Sequence, residues 1–113
     1  MQGNIKILGR SFTAAAAIAQ FQPVTATGAA ATAAGNAIGS ADVAAAIGDR
    51  FNATVMGTAL FVAGGSISQG ALVEVSSTVT QVVTKSAGVA IGRYIGEATA
   101  SAGDVIEVLL IAN

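Results

Sequence analysis

The sequence predicts an all-β domain, a small single-domain barrel or sandwich of short strands with an extended N-terminal arm and at most one or two short helical turns. Three observations carry this. From Phe51 onward, short runs rich in β-branched residues are separated by glycine-containing turns. Within them, Phe51-Asn-Ala-Thr-Val55 puts Phe51, Ala53 and Val55 on one face and Asn52 and Thr54 on the other, the period-two pattern of a half-buried strand. In the alanine-rich first half, Gly28, Gly35, Gly39 and Gly48 come at intervals too short for long helices.

In chain order, Met1 to Phe12 alternates, with Ile5, Ile7 and Gly9 on one side and Asn4, Lys6 and Leu8 on the other. This fits a first strand, or an arm that leaves the domain and adds to a neighbour's sheet edge through main-chain hydrogen bonds. Residues 1–20 are therefore read as arm or first strand, and residues 21–113 as one β-rich domain. Alanine favours helix, so Ser11 to Ala19 and Ala41 to Ile47 compete for that state, the second with Asp42 as a cap. The expectation is strand or extended chain over Phe21 to Thr27 and Ala30 to Ile38, and one helical turn over Val43 to Ile47.

The second half is more explicit. Thr58 to Val62 continues the Phe51 run until Gly64-Gly65 stops it. Leu72 to Val75 and Val79 to Thr84 flank Ser76-Ser-Thr78 as a hairpin, and Lys85 to Gly88 is the next turn. Val89 to Ile95 carries glycines that signal a bulge or a close backbone approach. Val105 to Ile111 follows the turn Gly103-Asp104, and its nearly continuous apolar run predicts a strand buried on both faces or lying in an interface.

Composition narrows function. The chain has 113 residues, the size of one domain. Hydrophobic residues make up 53% and charged residues 10%, which is not the make-up of a disordered tail. Five basic and six acidic residues give a net charge of −1, with no run of like charge, so nucleic acid and anionic lipid are disfavoured as partners. Histidine and cysteine are absent, which removes the usual general base, the commonest metal ligand and the thiol nucleophile. No enzyme activity, cofactor or metal is expected.

A mean hydropathy of +0.71 owes much to alanine. The longest charge-free stretch, Ser11 to Ala41, holds Gln20, Gln22, Pro23 and Asn36 and has no run of about 20 strongly apolar residues, so a membrane span is not expected. Lys6 and Arg10 precede Ala14 to Ala19 in the order of a secretory leader, but that apolar stretch is short and ends at Gln20.

Few groups point to chemistry. Asn52-Ala-Thr54 fits a glycosylation sequon but sits inside a predicted strand. Glu97, Asp104 and Glu107 lack the dense Asp/Asn/Gly spacing of a calcium loop and read as a solvated sheet rim. Arg93-Tyr94 joins a cation to a polar aromatic, side chains that interfaces concentrate, yet as strand neighbours they point to opposite faces. A core stocked with alanine also yields little apolar area for the ordering entropy, so the isolated subunit is expected to be marginal and self-association to be the remedy.

The order of several words carries a resemblance: Arg10 to Ile18, Gln22-Pro-Val24, Gly39-Ser-Ala-Asp42, Gly48-Asp49, Gly57 to Gly65, Gly70, Ala90-Ile-Gly-Arg93 and Ala102 to Leu110. Together they resemble the phage capsid cement or head decoration proteins across nearly the whole chain, least so at Gly28 to Ala34. The resemblance implies a structural virion protein on the outer surface of an expanded icosahedral head, commonly a homotrimer, that stabilises the shell by bridging major capsid subunits. Ile5, Ile7 and Phe12 are then the candidate contacts to capsid or neighbour, with Arg93 and Tyr94 as weaker candidates. The competing expectation is a self-assembling structural subunit of a tail tube, pilus or surface layer.

Overall fold

The structure, a computed structural model, describes residues 5–111. Eight strands and no helix form among them: β1 (Lys6–Thr13), β2 (Pro23–Val24), β3 (Gly39–Ala41), β4 (Arg50–Val62), β5 (Leu72–Val75), β6 (Val82–Thr84), β7 (Gly92–Tyr94) and β8 (Val105–Leu110). All paired strands are antiparallel, in the order β2-β3-β4-β8-β7-β5-β6, with β1 added on β4.

The 13-residue β4 organises the molecule because its two halves serve different sheets. Arg50 to Gly57 pairs with β1, while Ala53 and Thr54 also pair with β3. Thr58 to Val62 pairs with β8. Gly57 marks the change with φ +99°, and a Cβ there would lie 2.2 Å from the Ile5 carbonyl oxygen, so only glycine fits. Beneath the first half lies a small core of Phe12, Ile18, Val24, Phe51 and Ala53. The second half covers a larger one built around Phe61, Ile67, Val73, Ile91, Tyr94 and Ile106.

The larger half is a barrel. Its sheet runs β4-β8-β7-β5-β6, and a parallel bridge from Ala63 to Val82 ties the last strand back to the first, with the Gly64 N–H donating to the Val82 carbonyl at 2.7 Å. The β5–β6 hairpin is present, but Val79 and Thr80 belong to its turn. There the Ser76 Oγ accepts the Thr78 N–H at 3.1 Å, and the Ser76 N–H donates to the Gln81 carbonyl at 2.9 Å. Gly92 supplies the close approach signalled by the sequence, since a Cβ there would sit 2.4 Å from Val108 Cγ1.

Several expectations are corrected. Val43 to Ile47 is not a helical turn, because Ala45 forms an isolated antiparallel bridge with Ile18 through two hydrogen bonds of 2.8 and 2.9 Å. Partners across the chain outweigh a local alanine preference in so short a segment. Of Phe21 to Thr27 only Pro23–Val24 is strand, and Ala30 to Ile38 contributes a single bridge, Ala30 to Val24. Phe21 and Ala34 take positive φ of 64° and 56°, and Gly28 closes a tight turn on Thr25, which breaks these segments into loops. Finally, β8 is buried on one face only: Ile106 and Val108 point in, whereas Val105 and Leu109 are about two-fifths exposed.

The N-terminal segment, as far as it is described, is a strand of its own sheet. Met1 to Asn4 lie outside the described residues. β1 pairs with β4 from Thr13 to Lys6, and among the described residues no strand pairs with its other edge.

Candidate interaction surface

The sequence-selected residues separate sharply. Ile5 and Ile7 are 67% and 70% exposed at the start of β1, alongside Gly57 and Thr58 in the middle of β4. Phe12 is 6% exposed, its ring centroid 6.0 Å from that of Phe51 and the Arg10 guanidinium 5.3 Å above its own. Alternation accounts for the difference, since the even-numbered Phe12 stands on the opposite side of β1 from Ile5 and Ile7 and faces its partner Phe51; the register shifts between Lys6 and Leu8 and between Leu8 and Gly9 cancel and leave that parity unchanged.

Arg93 and Tyr94 do point to opposite faces. Arg93 is exposed and its Nη1 donates to the Gly70 carbonyl at 2.5 Å. Tyr94 is buried, and its hydroxyl donates to the Ala98 carbonyl at 2.6 Å across a turn that Gly96 leaves open for the ring. It packs into the barrel wall.

Polar groups fasten the start of β1. The Ile5 N–H donates to Thr58 Oγ1 at 2.7 Å, and that hydroxyl donates to Glu107 Oε2 at 2.7 Å. Lys6 forms an ion pair with Asp42, whose carboxylate also accepts from Asn52 Nδ2 at 2.8 Å and Thr54 Oγ1 at 2.9 Å. Partial burial pushes the Asp42 carboxyl up, but Lys6, Thr54 and Asn52 outweigh it and hold the group below the usual carboxylate range. Across the barrel, Glu74 accepts the Ser86 and Gly88 N–H groups at 2.6 and 3.0 Å, which hold it low as well and pin the 85–88 turn.

The acidic trio is a rim. Glu97 and Asp104 are exposed beside an open cleft of ≈ 380 Å³. The Asp104 carboxylate accepts the Ser101 N–H at 2.9 Å and closes its own turn, while Glu107 stands on the outer face of β8. Among the described residues no group of three or more His, Cys, Asp or Glu side chains could hold a metal ion.

What sequence reasoning missed is the outer wall of the barrel. Thr58 opposes Leu109, which opposes Arg93 on β7; Leu60 opposes Glu107, and Val62 opposes Val105. Directly opposed residues share a face, so Leu60, Val62, Val105 and Leu109 stand together on the outside of the barrel, joined by Ile95, whose N–H donates to the Glu107 carbonyl at 3.2 Å. Beyond Thr58 the paired Leu8 and Met56 are both about half exposed. The signal was the nearly continuous apolar run of β8, which periodicity alone does not distinguish from a doubly buried strand.

No protein-family model matches the sequence, and no curated protein matches it. Among solved structures, the fold is similar to the head fiber gp8.5 N base in bacteriophage phi29, with a TM-score of 0.74 and 13% identity over 92% of this chain and 93% of that one. The chain therefore has the fold of a phage head fiber base.

Proposed function

We propose that this chain is a non-enzymatic structural protein of a phage virion that sits on the outside of the head and stabilises it by bridging major capsid subunits. The observation that carries the reading is the fold match to a head fiber base across nearly the full length of both chains. A surface with few charges and an exposed apolar pair at the start of β1 supports it. Clamping a shell needs no single strong site, because modest contacts repeated over every copy add through avidity.

Ile5 and Ile7 form the contact to the head in this reading. They protrude from a ribbon whose register is fixed by Lys6, Asp42 and Thr58, so little ordering entropy is lost on docking. The test is co-sedimentation of the full chain with expanded, fiberless phage heads, together with the melting temperature of the heads. Wild type should pellet with heads and raise their melting temperature, and an Ile5→Asp/Ile7→Asp variant should lose at least tenfold in affinity. Heads that neither bind the chain nor gain stability would overturn the reading, as would open-ended polymers that ignore them.

A further inference from the structure

We infer that the outer wall formed by β4, β8 and β7, continued by Leu8 and Met56, is the face on which a second copy of this chain packs. The inference rests on the structural role proposed above and adds the surface that builds the oligomer.

Six exposed residues define the face: Leu8, Met56, Ile95, Val105, Leu109 and Ile111, each between 38% and 53% exposed. Their accessible surface is on the order of 500 Å², at the upper end for a monomer's largest apolar patch. A standard interface covers about 800 Å² per partner, about 60% of it apolar, so these residues supply the apolar share of one such interface.

The polar share points to a second copy as the occupant. Arg93 and Glu107 lie on this same wall, flanking Leu109 on neighbouring strands. A face carrying one cation and one anion beside an apolar centre is complementary to itself, since a twofold or ring arrangement sets the Arg93 of one copy against the Glu107 of the next. With a net charge of −1, copies do not repel one another strongly. The subunit also gains from association. Eight of the 21 buried apolar residues among those described are alanine, so the interior supplies little burial of its own.

The test is the mass of the full chain by size exclusion with light scattering across a concentration series, for wild type and Leu109→Asp. Wild type should be a small multiple of 10.9 kDa, and Leu109→Asp should associate at least 100-fold more weakly while keeping its far-ultraviolet dichroism. A monomeric wild type, or a folded Leu109→Asp with unchanged mass, overturns the inference. Because the chain has no cysteine, Leu109→Cys labelled with a solvatochromic dye reads the same face without adding a charge. Its emission should shift to the blue as protein concentration rises, and a constant emission overturns the inference even if Leu109→Asp fails to fold. Head binding separates the two proposals. An oligomer that loses its mass in Leu109→Asp yet never binds heads sustains the face and sinks the function. A monomer that binds heads through Leu109 does the reverse.

Discussion

Replacing Phe12 with alanine separates a core role from a contact role. Phe12 was selected from sequence as a contact anchor, but it is 6% exposed and pairs with Phe51 in the smaller core. Truncating a buried Phe costs about 3–5 kcal/mol through lost transfer energy and the cavity left behind. The tilted ring pair adds about 0.5–1.5 kcal/mol and the Arg10 guanidinium above the ring about 0.5–1 kcal/mol. Against this, β1 is an edge strand with bulges nearby and relaxes toward the gap, which places the expected loss at about 3 kcal/mol. For a domain of this size that lowers the melting temperature by about 12 °C. Urea unfolding followed by far-ultraviolet dichroism measures it, at matched protein concentration because dissociation of an oligomer adds to the apparent stability. Ile7→Ala, at a position 70% exposed, serves as the control and should stay within about 0.5 kcal/mol of wild type. A Phe12→Ala protein that loses less than about 1 kcal/mol while its head binding collapses would refute the assignment.

Three further substitutions test the frame. At Gly39, β3 lies so close to β4 that a Cβ would be 2.1 Å from the Thr54 carbonyl oxygen, so Gly39→Ala should cost about 1–3 kcal/mol in the same urea assay, whereas Gly65→Ala, with nothing within 4 Å, should be near neutral. Tyr94→Phe removes the hydrogen bond to the Ala98 carbonyl and should cost about 1 kcal/mol without changing assembly or head binding, as read by calorimetry and light scattering. Asp42 and Glu74 are held below their ordinary 3.8 and 4.5, so each carboxylate stabilises the fold above those values, and that contribution fades as pH falls through the lower folded-state value. Wild-type stability should therefore drop below about pH 4.5, and Asp42→Asn should be less stable at pH 7 but show a shallower acid loss, checked by urea midpoints from pH 7 to 2.

Legibility in the sequence followed the size of the side chains. The β4 run was readable because Phe51, Ala53 and Val55 at period two state both the element and its buried face, whereas the apolar runs of β5 and β8 state the element and not the face. Alanine states neither. Ala45 bridges Ile18, Ala30 bridges Val24 and Ala63 bridges Val82, three pairings on which the loops and the barrel closure depend, made by a residue whose local preference is helix. Sequence alone therefore does not distinguish barrel from sandwich, and the Ala63–Val82 bridge makes the barrel. The site was half legible for a related reason. Alternation at a strand end exposes Ile5 and Ile7 and by the same period sends the even-numbered Phe12 inward, so one strand face could not supply all three as contacts. On β8 the outward Val105 and Leu109 look in sequence like the inward Ile106 and Val108.

The two unsatisfied features of the molecule, a free strand edge and an apolar face, imply different assemblies. Edge pairing through β1 would join two copies by main-chain hydrogen bonds, each using up its own β1 edge. That edge is blunted: Lys6 and Arg10 lie along it, its register shifts twice, and the Lys6 ammonium is drawn across to Asp42. The wall over β8 has no such protection, and its charges are placed to be answered by a copy of itself. Association by the wall buries apolar surface with side chains rather than main-chain groups, and a twofold contact closes it once each wall is covered. Pairing through β1 would engage the strand that carries Ile5 and Ile7, the residues proposed above to meet a shell. The blunted edge of β1 thus favours packing by the wall over pairing by the edge.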